Sequence, residues 1–349
     1  MRGEAQTRGV SRPEPPAGRP ALTRRRLLLG SVAVMAGLGG AGWTVTAQSA
    51  EPSRPWRGAL VAAPVDADDL PRWRADIDML AEHGLNLVRT GVYPWLVAPA
   101  MGIWDQQAAD FYVDALGYAR QRGLAVNLVV VGAPDWAQSY DLDRYTAACT
   151  WFWTTMADVF DAQVDLWQAF NEADQSHYRR FTAITPDPGY LTEFGQLLAV
   201  AHRVLGRHST PVTTNLTGWP MNDERQQGWY EVLDVIGESL DLISLDLYPA
   251  DNRAQIDLLP TRIDQVRSRY GKPVFVAETG LQTGSGSWSE EDQRVLLPAT
   301  IERIRSTDVW GVCLYQLRDQ LSEQPSGFGI IRTDGSPKPA FDETMRSLA

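Results

Sequence analysis

Short apolar runs alternate with longer segments in which apolar residues recur every three or four positions, and the alternation starts near Trp56. The runs predict strands over 58–61, 86–90, 124–131, 164–170, 211–215, 242–247, 274–278 and 309–316. Helices are predicted over 68–83, 106–122, 143–160, 190–205, 254–270 and 289–306, with a terminal helix near 339–348. Gly84 and Gly123 stop the first two helices, and Ser289 caps the 289–306 helix with Glu290 and Glu291 in its first turn. Strand-helix units repeated to a count of eight strands predict a single (β/α)8 barrel over 56–349, with no internal linker and no short-period repeat. The segment between strand four and residue 188 is too long for a mere connector and is expected to shape a cleft.

The N-terminus has another character. Residues 1–20 are rich in Pro, Gly and Arg and hold too little apolar material to fold. Thr23-Arg24-Arg25-Arg26-Leu27-Leu28 then precedes a glycine-interrupted apolar run, and Val45-Thr46-Ala47 supplies small residues for cleavage. Residues 1–47 therefore resemble a disordered leader plus a twin-arginine export signal, and 48–55 a short linker. The apolar run falls short of the roughly 20 residues a spanning helix needs. The expectation is export with cleavage, to the cell envelope or beyond, with no stable membrane association afterwards.

Charge narrows the partners. The first 47 residues take seven of the 32 basic and two of the 43 acidic residues, leaving a body with a net charge of −16. A body this acidic repels nucleic acid and anionic membranes. The two cysteines, Cys149 and Cys313, show no metal or redox spacing and are expected to be buried free thiols. Of four histidines, His83, His202 and His208 fall on helices or their ends, so a metal centre needing several strand-end imidazoles is not expected, and no cofactor is implied.

In a parallel sheet, chemistry collects where the strands end. Leu166-Trp167-Gln168-Ala169-Phe170-Asn171-Glu172 and Val274-Phe275-Val276-Ala277-Glu278 are apolar runs that each deliver a carboxylate at that edge. Arg89 ends the second strand, and Asp246-Leu247-Tyr248-Pro249 ends the sixth. Trp95, Trp136 and Trp219 lie in strand-following loops, where flat rings either stack on a sugar or pack the rim.

Together with Gly102-Ile103-Trp104-Asp105, Ala133-Pro134-Asp135-Trp136, Lys272-Pro273 before the 274–278 run, Tyr315-Gln316-Leu317-Arg318-Asp319 and the Phe328 to Ala340 region, these residues resemble a retaining glycoside hydrolase of clan A, with echoes of families 5 and 39. The resemblance spans nearly all of 56–349. It implies an acid/base at Glu172 and a nucleophile at Glu278, with carboxyl groups about 5 to 5.5 Å apart. It further implies that Asn171 bonds the sugar 2-hydroxyl, that Tyr248 orients the nucleophile and that Arg89 holds Glu278 ionised. Asp246 stands where many clan members have His. Tyr315 and Gln316 occupy the strand-eight region where a Trp usually floors the sugar site. The expected activity is hydrolysis of a β-linked glycan or glycoside. A transglycosylase using the same two carboxylates, or a carbohydrate-binding barrel without turnover, fits the same pattern.

Overall fold

The computed structural model describes residues 54–130, 134–172, 188–216, 223–249, 253–284, 288–320 and 327–349. The leader, the export signal and Trp219 lie outside these residues, as does the segment after Glu172 that was expected to shape a cleft. In chain order the elements are β1 (Trp56–Leu60), α1 (Leu70–Glu82), β2 (Leu87–Gly91), α2 (Pro94–Val97), α3 (Gln106–Gln121), β3 (Ala125–Val129), α4 (Leu142–Phe160), β4 (Leu166–Gln168), α5 (Pro188–Leu205), β5 (Val212–Thr213), α6 (Asp223–Ile236), β6 (Ile243–Leu247), α7 (Arg253–Tyr270), β7 (Val274–Thr279), α8 (Glu290–Arg305), β8 (Gly311–Leu314) and α9 (Phe341–Leu348). The strands are parallel in the order β5-β4-β3-β2-β1-β8-β7-β6, a nearly closed (β/α)8 barrel. Two elements depart from expectation. Helix α6 covers a stretch for which the periodicity set no bounds, and Trp95 sits on the short helix α2 rather than in an irregular loop.

Side-chain alternation sorts the strands into two apolar sets. Leu87, Leu166, Leu242, Phe275, Ala277 and Cys313 pack together in the barrel interior. Their neighbours Val88, Trp167, Ile243, Val274, Val276 and Val312 pack outward against the helices. Two positions further along several strands, the inward residue turns polar: Arg89 follows Leu87, Asn127 follows Ala125, Gln168 follows Leu166, and Ser244 then Asp246 follow Leu242. All are buried. An apolar floor thus carries a polar layer at the carboxyl edge.

On β7 the alternation breaks. With Phe275 and Ala277 inward, the next inward residue would be Thr279, yet the registers of β7 with β6 and β8 both shift after Val276. The irregularity re-aims the strand by one residue and brings Glu278 into the interior.

The ladder between β5 and β6 is replaced by other bonds. The Asp241 amide donates to Val212 O at 2.9 Å, and the Val212 amide to Asp241 Oδ2 at 2.8 Å. Thr213 Oγ1 reaches both Leu242 O at 2.9 Å and Ser244 Oγ at 2.8 Å. One backbone bond and several side-chain bonds close the cylinder here in place of a regular ladder.

Helix caps follow the sequence chemistry. Asp105 and Asp141 accept first-turn amides of α3 and α4, and Ser289 forms a reciprocal capping box with Asp292 at α8. Both cysteines are buried and free. No described helix is long and apolar enough to cross a membrane.

Candidate active site

Arg89 organises the carboxyl edge. It is buried at 1% exposure, and its guanidinium divides its nitrogens among three partners. Nε donates to Gln168 Oε1 at 2.9 Å, Nη2 to Asn171 Oδ1 at 2.6 Å, and Nη1 pairs with Glu278 Oε1 at 2.8 Å. Burial alone would lower the Arg89 pKa, but Glu278 beside it, with Asp246 and Tyr248 nearby, holds the cation more firmly than usual. A lysine could supply the charge and not the fork.

Glu278, at the β7 irregularity, is held on both oxygens. Tyr248 donates its hydroxyl to Oε2 at 2.6 Å while Arg89 takes Oε1. Burial, then the negative fields of Glu278 and Asp246, push the Tyr248 phenol well above its ordinary range, so it remains a neutral donor. Tyr315 and Phe328 meet Tyr248 edge-on at ring separations of 6.3 and 5.7 Å and hold the ring in place. Lys338, itself buried, ties this wall together from the C-terminal segment through Asp319 at 2.9 Å, Thr283 at 3.0 Å and Gly327 O at 3.0 Å.

Glu172 stands across the opening, half-buried, with a left-handed φ of 46°. A side chain in that region costs roughly 1–2 kcal/mol, and such conformations gather at functional sites. Here Asn215 Oδ1 accepts the Glu172 amide at 3.1 Å and so secures the turn. Asn215 also accepts from Gln168 Nε2 at 2.6 Å, and its own amide nitrogen lies 2.7 Å from Asp246 Oδ2, 3.2 Å from Asn171 Oδ1 and 3.5 Å from Glu278 Oε1. One oxygen each of Glu172, Asp246 and Glu278 lie within 4.8 Å of one another.

Asp246 is wholly buried. Burial, then the charges of Glu278 and Glu172, push its carboxyl well above the usual range, against the pull of Arg89 and Asn215. Gln168 and Asn215, which knit the network, were missed as site residues in the sequence. Gln168 had a signal in parity, since it lies two positions beyond an inward leucine; Asn215 had none, since it follows a strand of two residues.

A cavity of about 330 Å³ opens beside the network, lined among others by Arg89, Tyr93, Trp95, Asn171, Glu278 and Tyr315. Trp95 is 53% exposed and stacks beside Tyr93 at 4.5 Å, so it offers a free face. Trp136 is not among the lining residues. Its indole N–H donates to Ala98 O at 2.8 Å and its ring packs near Tyr140 and Trp151, so the rim-packing alternative describes it. Gln316 is buried behind Tyr315, across a cis peptide. A second cavity of about 220 Å³ shares the Leu60 to Ala63 wall and Tyr93 with the first and adds Asp69, Arg72 and Arg318.

This architecture is similar to solved barrels. A β-glucosidase named 1317 has a TM-score of 0.64 at 15% identity, over 80% of this chain and 88% of that one. The chain shares its fold with glycosidases. A GH5_18 protein from Streptomyces cattleya in complex with GlcNAc matches with a TM-score of 0.67 at 16% identity, over 85% and 80% of the two chains. An exo-β-1,4-mannosidase from Opitutaceae bacterium strain TAV5 matches with a TM-score of 0.62 at 15% identity, over 84% of this chain and 59% of that one. No protein-family model matches the sequence, and no curated protein is similar to it.

Proposed function

We propose that this protein is an exported retaining β-glycosidase of the family 5 type, with Glu278 as nucleophile and Glu172 as acid/base. The observation that carries the reading is the pair itself. An oxygen of Glu172 lies within 4.8 Å of one of Glu278, a separation that favours direct attack by a carboxylate over the wider gap an inverting enzyme needs for its water.

The surroundings fit the division of labour. Glu278 is oriented by Arg89 and Tyr248, so one of its oxygens attacks the anomeric carbon as the glycosidic bond breaks. Glu172 donates a proton to the departing oxygen, then takes one from the water that hydrolyses the glycosyl-enzyme. Asn171 faces the cavity beside Glu278 and is placed for the sugar 2-hydroxyl. Trp95 offers the stacking face at the rim. The second cavity, which shares lining residues with the first and carries carboxylate and guanidinium groups, suits a substrate longer than one ring. Solved structures of similar fold include a β-glucosidase and an exo-β-1,4-mannosidase, which supports a β-linked hexoside as substrate. The arginine-rich leader supports export.

The test is product release from β-glucans, mannans, xylans, galactans and aryl β-glycosides by the wild type and by Glu278→Ala, with the anomer followed by NMR. Turnover with retained configuration that the substitution abolishes is the expected result. Inverted configuration would overturn the mechanism, and binding of a glycan without any turnover would replace the enzyme with a carbohydrate-binding barrel.

A further inference from the structure

Among the described residues, the polar layer gathers three carboxylates around one guanidinium. Glu172, Asp246 and Glu278 bring an oxygen each to within 4.8 Å of one another, and the guanidinium among them is that of Arg89. Its hydrogen bonds go to Gln168, Asn171 and Glu278, none to Asp246. Asp246 receives one neutral bond, from Asn215 Nδ2 to Oδ2 at 2.7 Å, while its Oδ1 is fully buried and meets no hydrogen-bond partner. An ionised carboxylate so placed would be desolvated with one neutral donor to offset the loss.

Among the described residues, the groups facing Asp246 supply no second cation. They are Arg89 from β2, Glu172 after β4, Asn215 after β5, Tyr248 just after its own strand, Glu278 from β7, and Cys313 and Tyr315 from β8 and its end. Burial pushes both the Cys313 thiol and the Tyr315 phenol up to about 12, so these two are neutral. A metal ion is a poor alternative, since it would have to compete with Arg89 or Tyr248 for whichever oxygen of Glu278 it took.

We propose that Asp246 is a neutral carboxylic acid at working pH and acts as a positioning residue, carrying its proton on Oδ1 and accepting from Asn215 on Oδ2. In that state it adds no third negative charge to the pair, and it fixes the amide of Asn215. Asn215 in turn holds the Glu172 backbone at 3.1 Å and reaches toward Glu278 at 3.5 Å. Both catalytic carboxylates are therefore registered through one aspartic acid. Its role, though not its protonation, rests on the glycosidase reading.

The protonation test needs no substrate. The protein is labelled with ¹³C at its aspartate carboxyls, and the infrared spectrum is taken at neutral pH for wild type and Asp246→Asn. A label-shifted band of a protonated carboxyl, present in the wild type and gone in the variant, is expected. Its absence from the wild type overturns the proposal.

Thermal unfolding across pH gives an independent sign. A folded-state proton held above the ordinary aspartate range stabilises fully at low pH and less as pH rises past that range. The melting temperature of Asp246→Asn should therefore rise relative to that of the wild type as pH increases, and a variant that instead falls relative to the wild type overturns the proposal. The positioning role is read from activity: Asp246→Leu lowers kcat at least 10-fold with KM little changed, and Asp246→Asn recovers most of it. Equal loss in both variants would remove the role. If no substrate is turned over by the wild type, the glycosidase reading fails, while the infrared and unfolding arms still decide the protonation.

Discussion

Arg89→Met removes the cation from the centre of the network and leaves Glu278, 3% exposed, with only the Tyr248 hydroxyl and a 3.5 Å approach from Asn215. Stripping one partner from a buried ion pair costs about 3–5 kcal/mol, because the remaining charge stays desolvated. At roughly 2 °C per kcal/mol for a domain of this size, the melting temperature should fall by about 6–10 °C. Calorimetry on Arg89→Met, Glu278→Gln and the double variant would separate the pair from the packing. In the double variant an amide needs no counter-charge, so the second substitution should restore much of the loss, with a coupling of about 3 kcal/mol. Arg89→Lys should fall between, keeping the charge while losing the bonds to Gln168 and Asn171. A melting temperature for Arg89→Met within about 1 °C of wild type, or additive effects in the double variant, would refute the claim that Arg89 stabilises the barrel through Glu278.

Three further substitutions test separate parts of the site and its frame. Tyr248→Phe removes a 2.6 Å bond to a carboxylate, worth about 1.5–3 kcal/mol, so kcat/KM on an aryl β-glycoside should drop about 10- to 100-fold and the melting temperature by about 3–6 °C. Trp95→Ala should raise KM about 3- to 10-fold at unchanged kcat, since the ring is exposed and offers only a stacking face; a fall in kcat instead would argue against the platform. Gly58→Ala would place a Cβ 1.9 Å from Leu87 O, where β1 and β2 lie closest, and should cost about 3 kcal/mol or more, read as lost soluble protein or a steep fall in melting temperature.

The strands and helices could be read from the sequence because their apolar periods are clean, and Glu172, Glu278, Arg89 and Tyr248 because each ends an apolar run. What escaped depends on contacts between strands. That Glu278 rather than Thr279 faces inward follows from the register shift on β7, and Val274-Phe275-Val276-Ala277-Glu278 is apolar without alternation, so no period reveals it. Asn215 lies two residues beyond a two-residue strand, too short to display parity. Trp136 and Trp95 both follow strands, and only the packing of their neighbours separates the ring tied to Ala98 from the one left open. Lys338, one of the chain's two lysines, is drawn into the site's wall from near the C-terminus by bonds across the chain that no local pattern encodes.

The open ladder between β5 and β6 divides the candidate site. Glu172 and Asn215 belong to one bank, Asp246, Tyr248 and Glu278 to the other, and the continuous sheet joins them only by the long route through β4, β3, β2, β1, β8 and β7. Across the short gap the amide of Asn215 is the tether, with Thr213 and Ser244 beneath it. The distance between the Glu172 and Glu278 carboxylates thus depends on a stitch made mostly of side chains, with one backbone bond from Asp241 to Val212, rather than on a regular ladder. A mutation in that stitch would change the gauge of the carboxylate pair while leaving the rest of the cylinder intact.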